Sequence, residues 1–279
     1  MWVGQQLADG LDFWGFLGSL ILGGIILGIY TGLLGYVGAK TGLSLDLLSQ
    51  RAFGEKGSYL PSAMTSFTQI GWFGVGSFVS GGTATPNFAR FAKNGKAGAI
   101  TTVVAFFIGN SLMFFFGAVS SIFVGGNDIF EVMVRLNLFY LAVLVLGLNI
   151  WTTNDNALYT AGLGLANIFH QRKKPMVLLS GIIGTVASVW LYYNFCGWLN
   201  ILNCTLPPVG MILVLAYFMN KEDFEADQPK LKTVDWFAVA GVILGAIVAN
   251  LLHWGIASIN GMVVAAVCYC VGQAVNKRK

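Results

Sequence analysis

Charge is what this sequence has least of. Only 10% of its 279 residues are Asp, Glu, Lys or Arg, where a water-soluble domain carries about 25%. With 56% of residues hydrophobic and long apolar runs, a soluble globular fold is excluded and an all-α integral membrane protein is expected. Cysteine is scarce as well. Cys196, Cys204, Cys268 and Cys270 all fall inside apolar stretches, without metal-ligand spacing or a disulfide framework, so they read as small core residues. The two histidines, His170 and His253, lie at predicted membrane edges and are not spaced as a metal pair. No His-Glu-x-x-His, no phosphate loop and no pair of mid-membrane carboxylates is present, so no enzyme or cofactor is expected. No basic n-region with a cleavage site precedes the first apolar run, so no signal peptide is expected. The net charge of +4 comes from short basic clusters between apolar runs; it reports topology and implies no nucleic-acid partner.

What is there is a single transmembrane domain, 1–279, in a lipid bilayer. Apolar segments lie at 13–39, 59–89, 97–124 and 136–169. Two more share 176–219 and turn near 192–194, and the last two are 236–253 and 256–275. Gly24, Gly28 and Gly32 form a small-residue ridge on the first. The third span is rich in Phe and otherwise ordinary, and Pro207-Pro208 should break or kink the sixth. The one sizeable hydrophilic loop is 220–235. Basic residues cluster at Lys40, Arg51 and Lys56, at Arg90, Lys93 and Lys96, and at Arg172, Lys173 and Lys174. Further clusters are Lys221, Lys230 and Lys232, then the tail Lys277, Arg278 and Lys279. Alternation of these clusters with nearly uncharged loops puts them, and the C-terminus, on the cytoplasmic side of a cell (inner) membrane. The rule fails once. Segment 59–89 has three basic residues on each flank, yet a single pass would put its flanks on opposite faces. Two passes need about 40 residues. The segment is therefore re-entrant, or passes are missing there.

One stretch concentrates polar groups at mid-span. Residues 147–156 read Gly-Leu-Asn-Ile-Trp-Thr-Thr-Asn-Asp-Asn, within 136–169, whose only charged residue is Asp155. A helix over that stretch is about 50 Å long, so its middle lies deep in a hydrocarbon layer of about 30 Å. Asn149, Thr152, Thr153 and Asn156 follow helical i, i+3, i+4, i+7 spacing and share a face. That face offers a backbone carbonyl and two hydroxyls, oxygen ligands suited to an alkali cation. The plainer alternative is that the threonines bond back to carbonyls one turn earlier while the asparagines join helices. Polar groups crowded at this depth favour a substrate or ion pathway. In 59–89, Gln69, Trp72, Phe73 and Gly76 share a helical face, and 77–86 is dense in Gly, Ser, Thr and Pro. Such a broken helix exposes backbone groups to a ligand.

Residues 28–43, 69–76, 109–117, 146–167 and 194–210 resemble the cytosine permeases of the nucleobase–cation symporter family. The resemblance implies about twelve helices in two inverted repeats of five plus two more, with substrate at a mid-membrane break. Two departures follow. The sequence begins where the family's first helix is already past its break, and 69–76 look like its third helix while 77–91 look like its sixth. An incomplete inverted-repeat bundle is expected, with a junction at 76–77 and about eight apolar segments.

By the same resemblance, Trp72 and Phe78 look like the aromatic pair that sandwiches a base. Gln69 and Asn154 look like the amides that read its edge, with Ser77, Ser80 and Gly81 supplying backbone. Asn149, Thr152 and Thr153 look like half of a sodium site. The implied function is sodium-coupled import of a nucleobase such as cytosine, impaired by missing helices. A non-transporting remnant or membrane scaffold is the alternative.

Overall fold

The computed structural model describes residues 12–75, 81–125, 129–226, 229, 231–252 and 254–276, and every regular element among them is a helix. Among the described residues, five helical stretches are long and apolar enough to cross a membrane: Phe13–Thr41, Gly95–Val124, Lys173–Leu191, Gly197–Met219 and Ala257–Asn276. The stretch with the polar centre is longer than any of them, a helix of 31 residues over Phe139–Phe169.

Helix α1 (Phe13–Thr41) begins where Asp12 accepts the Gly15 N–H at 3.0 Å and ends at Gly42, whose φ of 68° is left-handed. Its small residues decide what lies beside it. After α2 (Leu45–Phe53), α3 (Tyr59–Val75), α4 (Gly81–Ala84) and α5 (Pro86–Ala89), the chain runs back along α1 as α6 (Gly95–Val103), a π-helical stretch (Val104–Gly109) and α7 (Asn110–Val124). A Cβ on Gly24 would sit 2.9 Å from the Phe107 ring, and one on Gly98 would sit 2.7 Å from the Gly35 carbonyl oxygen. The expected ridge at Gly24, Gly28 and Gly32 thus continues through Gly35, letting backbones touch where lipid offers no hydrophobic drive. The third span is not ordinary, contrary to the sequence reading. A π turn takes one more residue than an α turn, and here it carries Phe107 onto Gly24 after Val103 has covered Gly32.

The segment 59–89 enters and returns at the same end. At its start the Tyr59 hydroxyl lies 2.8 Å from His170 Nε2, and the Glu55 and Lys56 amides donate to the Lys232 and Thr233 carbonyls. At its close Pro86 lies on Gly38, and Asn87 Oδ1 accepts the Leu45 N–H at 2.8 Å. Gly95 next meets Tyr36 and Lys40. The two flanks of the segment thus lie at the same end, as their basic residues require. The connection at 42–57 is also less open than its polarity suggests, because α2, capped by Ser44, lies within it. Every described Lys and Arg except Arg135, which follows α7 on α8 (Ile129–Arg135), belongs to the end that holds 42–57 and 90–96.

From there α9 (Phe139–Phe169), α10 (Lys173–Tyr193) and α11 (Phe195–Met219) cross in turn. The short α12 (Lys221–Glu225) and the hairpin of α13 (Trp236–Leu251) and α14 (Ala257–Asn276) complete the chain. Pro207 and Pro208 do not break α11, which is helical through both. Pro207 leaves the Asn203 carbonyl without its intrahelical donor, and beside it the Ser258 hydroxyl of α14 donates to Asn203 Oδ1 at 2.5 Å. Pro208 fits between Gly245 and Gly261, whose lack of Cβ makes room for its ring. The main core joins α1 and α2 to α11, α13 and α14 around Leu34, Phe53, Ile212, Tyr217 and Tyr269. Of the cysteines, Cys204 is buried, whereas Cys270 faces outward, against its reading as a core residue.

Two outcomes test this arrangement. Cysteines placed at Lys56 and Lys93 should be labelled from the same side of the membrane; labelling from opposite sides would contradict the re-entrant path. Gly98→Val should lower stability by about 1–3 kcal/mol in thermal unfolding, because the added atoms meet backbone that has no room to move.

Candidate ligand-binding site

The site is built on two antiparallel helices, α3 and α9, whose contact is polar and buried. Along α3, Ser62, Thr65, Ser66, Thr68 and Gln69 are all buried. Thr65 and Thr68 donate to carbonyls of their own helix, those of Pro61 and Met64, which removes the cost of burying their hydroxyls. The others meet α9. Asn167 Nδ2 donates to Ser62 Oγ at 2.9 Å, Ser66 Oγ donates to the Ala161 carbonyl at 3.2 Å, and Gly164 gives α3 space to approach. Continued along both helices, this register brings the stretch after Gln69 alongside the residues just before Ala157, at the depth of Thr153 and Asn154. Deeper still, Gly71 lies against Trp198 at the start of α11, and Trp198 packs with Ala157, Leu191 and Leu202 in a second apolar cluster.

Asn154 carries the clearest chemical signal. Its Oδ1 is buried without a hydrogen-bond partner, a state that costs about 1–3 kcal/mol unless a ligand or water satisfies it. Gln69 is 7% exposed and belongs to the facing helix. Ser77, Phe78 and Ser80 lie outside the described residues, as does the side chain of Trp72; Gly81 is the first residue of α4.

The residues expected to hold a cation sit farther out. Asn149 and Thr152 are exposed and Thr153 is half-buried. Thr152 Oγ1 lies 3.1 Å from the carbonyls of both Leu148 and Asn149. The plainer alternative for this threonine, bonding back along its own helix, is therefore how its hydroxyl is used. The same geometry gathers two of the expected sodium oxygens side by side. Asp155 and Asn156 on this helix are exposed too.

Sequence reasoning missed the far wall. The Tyr30 hydroxyl of α1 lies 2.8 Å from Thr83 Oγ1 on the return leg, and the same ring presses on Gly210 of α11, where a Cβ would collide with it. Thr83, Ala84 and Thr85 are all buried, so the return leg is held inside the bundle. A signal was available: Tyr30 lies in the block 28–43 and Gly210 closes the block 194–210, both of which carry the resemblance.

Comparison with known proteins bears on this arrangement. A family described as permease for cytosine/purines, uracil, thiamine, allantoin matches residues 1–85 and 74–275, two stretches that overlap. The cytosine permease of Escherichia coli strain K12 is 36% identical over 372 aligned positions, covering 100% of this chain and 88% of the relative. The cytosine permease of Escherichia coli O157:H7 gives the same figures. The allantoin permease of Bacillus subtilis strain 168 is 34% identical over 82 residues, 29% of this chain and 16% of that protein.

The geometry separates structural from ligand-facing roles. Thr152→Val should change stability by less than about 1 kcal/mol, since it removes only bonds within one turn of an exposed helix face. Tyr30→Phe should cost about 0.5–1.5 kcal/mol in the same unfolding assay, having lost a bond between two elements.

Proposed function

Because the chain belongs to the family of permeases for cytosine/purines, uracil, thiamine and allantoin, and is a multi-pass membrane protein of that family, we propose that it binds a nucleobase between α3 and α9. The observation that carries this reading is the buried, unpartnered amide oxygen of Asn154 facing the helix that holds Gln69. An amide offers donor and acceptor together, so two of them read the edge of a base without placing charge in lipid. Trp72 and Phe78 supply the flat apolar faces, each worth about 1–3 kcal/mol in base stacking elsewhere. Ser77, Ser80 and Gly81 supply backbone contacts at the turn. The basic end faces the cytoplasm of a cell (inner) membrane, and transport runs inward.

In this reading residues 76–77 join the equivalents of the family's third and sixth helices. The two overlapping matched stretches, and an alignment longer than the chain itself, support that junction. Sodium is the coupling ion, held by the Asn149 carbonyl, Thr152 and Thr153, and this cluster is weak. Two of the three residues are exposed, and the Thr152 hydroxyl is shared with its own helix. The same exposure of Asn149, Thr152, Asp155 and Asn156 at mid-helix favours the second reading, a non-transporting remnant or membrane scaffold.

Cytosine binding to the purified chain, with uptake in cells lacking their own permease, tests the proposal. Gln69→Ala and Asn154→Ala should each weaken binding at least tenfold, about 1.4 kcal/mol. Replacing sodium by choline should change affinity less than tenfold. No saturable cytosine binding would favour the remnant, and a larger sodium effect abolished by Thr153→Ala would mean the ion site is whole.

A further inference from the structure

A carboxyl group outside the candidate site is buried where three helices meet. Asp46, in the first turn of α2, is 6% exposed, and its Oδ1 accepts the Ser62 hydroxyl of α3 at 2.6 Å. Ser62 in turn accepts from Asn167 Nδ2 of α9 at 2.9 Å. Asn167 also donates to Ser58 Oγ at 3.1 Å and accepts from Gln50 Nε2 of α2 at 2.6 Å. The chain of bonds leaves α2 at Asp46 and comes back to it at Gln50, so it closes a ring through all three helices.

We propose that Asp46 is a proton-binding site whose occupancy decides how firmly α2 stays docked on α3 and α9. Ser62 spends its only proton on Asp46, so a charged Asp46 leans on one hydroxyl, its own backbone N–H and the start of a short helix. The charges around it give little more help. Arg90, on the return leg, is the cation that acts on Asp46, but its guanidinium donates to the Tyr159 hydroxyl, and its Nε is buried without a partner. On α3 the only ionisable group is Tyr59, paired with His170. On α9 they are Tyr140, Asp155 and Tyr159, and the Lys173 ammonium lies 3.4 Å over the Tyr159 ring. The ionisable groups of α11, α12 and α13 near α2 have partners elsewhere. Tyr217 pairs with Glu225, Glu225 lies 3.8 Å from Lys40, and Asp235 lies 3.0 Å from Lys232. Arg51, on α2 itself, donates to the Asp223 and Phe224 carbonyls.

Burial is the largest influence on Asp46 and pushes its carboxyl up to about 6, against the opposing pull of Ser62, the backbone and Arg90. An ordinary aspartate in water titrates near 3.9. The docked state therefore binds the proton more tightly than any state in which Asp46 reaches water. Docking is strengthened at low pH, weakens as pH climbs through about 4 to about 6, and levels off above. This inference stands whether or not the chain carries a nucleobase.

Hydrogen exchange of the α2 amides in the full purified chain tests it, after correction for the intrinsic pH dependence of exchange. From about pH 5 to about pH 7 protection should fall roughly tenfold. Asp46→Asn should hold protection high and flat, and His170→Gln, which removes the imidazole paired with Tyr59, should leave the fall intact. Protection that ignores pH in the unaltered chain, or a fall that survives Asp46→Asn, overturns the proposal. If Asp46→Asn fails to fold, infrared titration of the unaltered chain decides: a protonated-carboxyl band persisting to about pH 6 is expected, and its absence at pH 5 overturns it.

Discussion

The hydrogen bond from the Leu45 amide to the side chain of Asn87 fixes the path of everything between them. It ties the start of α2 to the end of the return leg, while Pro86 fills the space left by Gly38. Without it the segment after α3 has no reason to come back to the end it left. The basic residues on its two flanks would then have to be carried to opposite faces of the bilayer. With it, α6 starts beside α1, and the glycine contacts along α1 follow in register from Gly38 to Gly24. The backbone closeness of α1 and α6–α7, the same-side placement of the basic clusters and the burial of Thr83 and Thr85 are consistent with this tie and are reinforced by the Tyr30–Thr83 contact.

Helix positions were legible in the sequence because apolar length sets them: the turn near 192–194 and the long helix through 147–156 are where hydropathy put them. The charge conflict around 59–89 was legible too, but charge counts sides and says nothing about which side chains close the loop. The Leu45–Asn87 and Tyr30–Thr83 contacts span 42 and 53 positions and leave no periodic trace. The π turn at Val104–Gly109 was invisible for the same reason, since its sequence has nothing that an α-helix refuses. That Pro207-Pro208 leave α11 unbroken was not legible either, because the glycines that make room for the Pro208 ring, Gly245 and Gly261, lie on other helices.

At the candidate site the amides were readable and their burial was not. Gln69 and Asn154 stand out in apolar surroundings, yet only packing tells a half-buried Asn154, whose Oδ1 is buried without a partner, from an exposed Asn149 five residues before it. Family membership is a separate finding: it places the chain with permeases for cytosine/purines, uracil, thiamine and allantoin and does not depend on either amide. The α3–α9 contact buries its polar side chains, whereas Asn149, Thr152, Asp155 and Asn156 of α9 are exposed.

The double proline of α11 lies where that helix passes from one apolar cluster to the other. Below Pro208, Val209, Ile212 and Leu213 are locked into the main core. Above it, Trp198 and Leu202 belong to the other cluster, against α3 and α9. Gly245 and Gly261 face the proline ring from the last two helices like the two halves of a bearing. Pro208 thus marks the seam between the two clusters: α11 is helical through it, with Trp198 and Gly71 on one side and the main core on the other.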